Sequence, residues 1–130
     1  TPPVALAAFA AASIAKDSPM KIGFKATQIA VAGFVVPFMA VYDHALMLQG
    51  DPSLGAIIYI VGKAALAIVL WGAAAIGYLR AALNLFERLF AAVAAFMLVA
   101  AIPLTDEIGF AMSATFAGWH WLRTRAASAA

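Results

Sequence analysis

Apolar stretches separated by short polar breaks run through this chain, and the breaks alternate in charge. Residues 4–15 are a run of small and aliphatic side chains that ends at Lys16. Nearly uncharged stretches come next at 26–48, 54–79, 85–104 and 108–122. The first run, at 1.5 Å per residue, covers ~18 Å, about half a bilayer core. With Pro2 and Pro3 ahead of it, it reads as the second half of a broken helix. Asp17-Ser18-Pro19 interrupts the chain, and either Asp17 or Ser18 can cap the next helix. Residues 20–25 read as a short basic approach to the second span, which Pro37 should kink. Gln49-Gly50-Asp51-Pro52-Ser53 is a turn by composition. The third span is expected over 54–79, then an amphipathic connector over 80–88, then a fourth span over 85–104 ended by Pro103 and Thr105-Asp106-Glu107. Residues 108–122 are short for a span but lack the charged face of a helix lying flat on a membrane. Trp119 and Trp121, beside Arg123 and Arg125, predict an interfacial anchor.

The charge order sharpens this picture. Of eight cations, Lys16, Lys21 and Lys25 sit at one break, Arg80 and Arg88 at another, and Arg123 and Arg125 near the end. The intervening breaks at 49–53 and 105–107 hold only acidic or neutral residues. Cytoplasmic loops of membrane proteins collect Lys and Arg, so the cationic breaks and the C-terminus are expected inside and the other two breaks outside. Lys63 alone lies within a span. The composition agrees: 66% of residues are hydrophobic and 11% charged, against about half and a quarter in soluble domains. Mean hydropathy is +0.99. The fold class expected is therefore all-α: a polytopic, helical integral membrane protein with one half-helix and about four membrane segments. A net charge of +2 spread over membrane edges forms no nucleic-acid-binding stripe. The absence of cysteine excludes disulfides and thiolate metal sites. Thr1-Pro2-Pro3 does not resemble a signal peptide, and the chain is expected to begin inside a larger protein.

Few residues offer chemistry. Two consecutive prolines after Thr1 forbid regular helix behind them, and irregular backbone at membrane depth survives where it lines a cavity or is buried in protein. Its carbonyls and the Thr1 hydroxyl are hard oxygen ligands suited to Na⁺, as in the broken helices of transporters. The competing reading is an ordinary helix start. Lys63 is roughly 14 Å into its span. It either snorkels to the outer interface, pairs with Asp43 across a helix pair, or serves function. Asp43 and His44 read as loop-edge groups or a proton relay, His120 as an interfacial residue, and Glu87 as a surface partner of Arg88 or Arg80 worth little. Trp71 and Tyr78 read as packing or lipid-facing aromatics. Gly109, Ser113 and Ala117 share one helix face, as do Ala91 and Ala95, a spacing that lets helices approach closely or arises by chance in an Ala-rich chain. No HExxH, GxSxG, Walker or Cys/His motif occurs, so no enzyme is expected.

Thr1-Pro2-Pro3-Val4-Ala5-Leu6-Ala7-Ala8-Phe9, then residues 11–15, 20–25 and Val35-Val36-Pro37-Phe38, resemble the end of the large membrane subunit of tripartite ATP-independent periplasmic (TRAP) transporters. Ala5 stands where that family usually has Gly. Gly33-Phe34-Val35-Val36-Pro37-Phe38-Met39-Ala40-Val41-Tyr42 is most similar to its fused-permease branch, associated with TAXI-type binding proteins. The resemblance covers residues 1–48; residues 49–130 match by length and hydropathy as a C-terminal membrane extension. It implies cation-coupled uptake, with Na⁺ or H⁺ as coupling ion, of organic acid anions delivered by a periplasmic binding protein. The setting implied is a bacterial inner membrane, with lipid and the upstream part of the same permease as further partners. Thr1, Pro2 and Pro3 become candidate substrate- or ion-binding residues. Two alternatives stay open: a membrane assembly or accessory subunit without transport, and a proton-handling module using Asp43, His44 and Lys63.

Overall fold

The computed structural model describes residues 6–42, 44–100 and 102–128. It is all-helical, with no strand among those residues; an isolated bridge joins Tyr78 and Ala82 in a turn. The order is α1 (Leu6–Ala15), α2 (Pro19–Tyr42), a short 3-10 turn (His44–Met47), α3 (Leu54–Ile76), α4 (Leu85–Val99) and α5 (Pro103–Ser128).

The breaks fall where local chemistry puts them. Asp17 accepts a hydrogen bond from the Ser18 N–H at 2.7 Å and pairs with Lys21 at 2.8 Å. The Lys21 contact and the Ser18 N–H together hold the Asp17 carboxyl below the usual carboxylate range. Pro19 opens α2 directly after, so residues 20–25 are its first turns and not a separate approach segment. Pro37 lies inside α2. That helix stops at Tyr42, short of the expected 48. Ser53 caps α3 by accepting from the Ala56 N–H at 3.2 Å. Gly77 ends it in the left-handed region, φ 80°, which a side chain resists. Asn84 and Glu87 then form a reciprocal capping box that starts α4.

The last third differs most from expectation. The α4 helix ends at Val99, and Pro103 begins a helix where a terminator is expected. Proline fits a first turn because its missing N–H would have no intrahelical partner there. Thr105-Asp106-Glu107 is thus the first stretch of a 26-residue α5, not a loop, and the short segment 108–122 is its middle.

Side-chain contacts set the directions. Lys63, in the first half of α3, meets Asp106, early in α5. Arg88, early in α4, reaches the carbonyls of Ala74 and Ala75, late in α3. Glu87 meets Arg123 near the end of α5, and Lys25, early in α2, meets Ala75. Hence α3 and α5 run parallel, α2 and α4 antiparallel to α3, and Lys25, Arg88 and Arg123 share one end of the bundle.

The core is built largely of alanine. Ala64, Ala67, Ala73 and Ala74 of α3 face Ala91, Ala94 and Ala95 of α4, with Met39, Ile60, Leu98 and Phe116 filling the ends. Small side chains let backbones approach closely. Gly109 and Ser113 are buried on that principle, whereas Ala117 is exposed. A Cβ on Gly109 would lie 2.9 Å from the Leu98 side chain and 3.1 Å from its backbone nitrogen. Gly109→Ala therefore forces α4 and α5 apart and is expected to cost ~1–3 kcal/mol, measurable as a lower unfolding midpoint; Gly118→Ala, with open space around it, serves as the neutral comparison.

Outside this core many large apolar side chains lie on the surface. Phe34, Phe38, Ile58, Val69, Phe86 and Phe96 are all exposed. Both α2 and α3 are long and apolar enough to cross a membrane, and only 6% of that stretch in α2 and 28% in α3 is buried.

Candidate functional site

Two polar clusters occupy opposite ends of the α3–α5 bundle. In the first, Lys63 Nζ donates to Asp106 Oδ1 at 2.8 Å and Oδ2 at 2.7 Å. Tyr59 Oη donates to Oδ2 at 3.0 Å. Lys63 is 3% exposed, and its ammonium lies 6.0 Å from the Tyr59 ring centre. The acidic partner comes from the first turn of α5, where the helix dipole favours a carboxylate. Of the readings open for Lys63, snorkelling does not describe it: it is a buried, paired cation. Asp43, its expected partner, lies outside the described residues, as do Thr1, Pro2 and Pro3.

The second cluster gathers Glu87, Arg123, Asn84 and His120. Glu87 is 3% exposed, which corrects its expected place as a surface partner of Arg88 or Arg80. One of its oxygens, Oε2, accepts from Arg123 Nη1 at 2.6 Å and from the Asn84 N–H at 2.9 Å. Arg123 also donates to the Ala82 carbonyl and so ties α5 to the turn before α4. Arg88 instead donates to Ala74 O at 2.8 Å and Ala75 O at 3.3 Å, closing the end of α3. His120, expected at an interface, is buried. It stacks on Phe116, with ring centres 6.0 Å apart, and its Nε2 accepts from the Arg80 N–H at 3.4 Å. An accepting Nε2 places the proton of a neutral ring on Nδ1, which has no partner among the described residues, nor has Glu87 Oε1.

Trp119 and Trp121 are exposed beside this cluster, and the Arg125 guanidinium sits 3.7 Å over the Trp121 ring. Trp71 Nε1 donates to Gln28 O at 2.9 Å, joining α2 to α3.

Chemically, both clusters are neutralised pairs with their strongest groups turned on each other. Neither sets a nucleophile beside a base. Among the described residues no three His, Cys, Asp or Glu side chains gather as a metal-binding group. The signals for these sites are partly present in the sequence. Asn84-Leu-Phe-Glu87 has the spacing of a capping box, and Pro103 followed by Asp106 has the pattern of a helix start. Compared with known protein families, curated proteins and solved structures, the chain matches none.

Proposed function

We propose that the chain is the C-terminal membrane portion of a fused TRAP-type permease, multi-pass in a bacterial inner membrane with its C-terminus cytoplasmic. Residues 1–48 complete a transport core for Na⁺-coupled uptake of organic acid anions handed over by a periplasmic binding protein. Residues 49–130 form an accessory helical bundle leaning on that core.

The observation that carries the membrane part is the outward face of the bundle. The core helix of a soluble protein hides its apolar surface, yet only 6% of the apolar stretch of α2 and 28% of that of α3 is buried. The charges support the orientation, since Lys25, Arg88 and Arg123 come together at one bundle end. The transport part rests on the resemblance of residues 1–48.

In the complete permease, Thr1→Ala is expected to raise the Na⁺ concentration needed for half-maximal uptake into proteoliposomes. Unchanged Na⁺ dependence removes Thr1 from the ion site. Uptake that responds to no inward Na⁺ or H⁺ gradient contradicts cation-coupled transport.

A second reading, a membrane assembly subunit without transport, draws support from the pairing of Lys63 with Asp106 and of Glu87 with Arg123. Residues that neutralise each other hold helices together and need carry nothing. The same pairing weakens the proton-relay reading, since Lys63 is committed to a carboxylate.

A further inference from the structure

The geometry points to a binding site for one anionic phospholipid of the cytoplasmic leaflet, in the cleft between α2, α3 and α4. It rests on the membrane reading above.

Two cations converge at the end of α3. Lys25 Nζ donates to Ala75 O at 3.4 Å, and Arg88 Nη2 donates to the same oxygen at 3.3 Å. Among the described residues neither pairs with a carboxylate, in contrast to Lys21, Lys63 and Arg123. The carbonyl end of a helix offers about half a negative charge, too little to balance an ammonium and a guanidinium brought so close. A phosphodiester supplies a full charge, and its oxygens match the forked guanidinium donors.

What adjoins the cations sets the kind of anion. A cavity of about 240 Å³ lined by Gln28, Trp71, Arg88 and Leu89 shares its Trp71 wall with a second cavity of about 300 Å³. The second is lined by Val31, Phe34, Phe38, Trp71, Phe96 and Val99 and exposes no polar surface. The cleft exists because α2 and α4 both lean on α3 and touch each other little. From Gln28 to Phe38 it follows α2 for ~15 Å, the depth of one leaflet in a ~30 Å hydrocarbon core. A charged head at the cationic end and an acyl chain along the apolar cleft fit this shape. Basic pockets between membrane helices on the cytoplasmic side take anionic headgroups in this manner.

Trp71 makes the site readable. With Trp119→Phe and Trp121→Phe it becomes the sole tryptophan of three. The protein is reconstituted into phosphatidylcholine vesicles, checked by flotation, and titrated with dibrominated phosphatidylglycerol or dibrominated phosphatidylcholine. The expected result is about fivefold preferential quenching of Trp71 by the anionic lipid. Lys25→Gln and Arg88→Gln are each expected to move that ratio toward one, while Arg80→Gln, at the same end but outside the cleft, leaves it. Because Arg88 also closes α3, Lys25→Gln is the deciding variant if Arg88→Gln does not fold. Equal quenching by both lipids in floated protein overturns the site, as does a loss on Arg80→Gln equal to that on Lys25→Gln. Quenching that falls as protein density in the vesicles rises assigns the cleft to a second copy and overturns it too. Failure to float removes the membrane reading itself.

Discussion

Replacing Asp106 by Asn is expected to destabilise the helix bundle by ~3–5 kcal/mol. Lys63 is 3% exposed and its ammonium donates to both oxygens of the Asp106 carboxylate. Asparagine keeps one acceptor and removes the charge, leaving a buried cation uncompensated in surroundings where an ion is costly. The double variant Lys63→Met with Asp106→Leu is expected to return to within ~1 kcal/mol of the parent, since apolar groups of similar size replace buried ion pairs without loss. Unfolding in mixed detergent, followed by helicity, measures both. A destabilised double variant with a stable Asp106→Asn variant would show that the pair does not bear on α3–α5 cohesion.

The second large effect belongs to Glu87, which serves two purposes through one oxygen. It accepts the Asn84 N–H to complete the start of α4 and neutralises Arg123. Glu87→Ala removes both and is expected to cost on the order of 3 kcal/mol, combining a lost cap of ~1 kcal/mol with a lost charge-assisted hydrogen bond of ~1.5–3 kcal/mol. Glu87→Gln keeps an acceptor for Asn84 and gives up only the charge, so it is expected to lose about half as much. Arg123, 38% exposed at its side chain, can then turn to water or headgroups. Equal losses in the two variants would place all of the effect in the ion pair; no loss in either would return Glu87 to the surface role suggested by its sequence neighbours.

Asp106 and Glu87 also show what a sequence of this kind conveys. The breaks at 17–19 and 49–53 are local chemistry, with Asp, Ser, Pro and Gly in consecutive positions, and helices do stop and start there. The small-residue faces are legible too, because one helix turn relates Gly109 to Ser113 and Ala91 to Ala95, and all four are buried. Pro103 misleads because proline stops one helix and opens the next with equal ease, and only the chain beyond it decides. The Lys63 partner is not legible for a different reason. Residues 63 and 106 meet only because α3 and α5 run parallel, a fact of packing that no spacing encodes, and the composition around Asp106 suggests a loop. Glu87 looks solvent-exposed because Arg88 stands beside it, yet adjacent residues on a helix face different ways. The two tryptophan neighbours of His120 suggest an interfacial group, whereas the ring points inward and they point out.

The proposal that most else depends on is that this bundle resides in hydrocarbon with its cationic end toward the cell interior. Alkaline extraction of membranes containing the protein, then flotation, tests it most directly. The account requires the chain to remain with the floated lipid and to need detergent for release. Protein that leaves the membrane at high pH and stays monodisperse in plain buffer would contradict it.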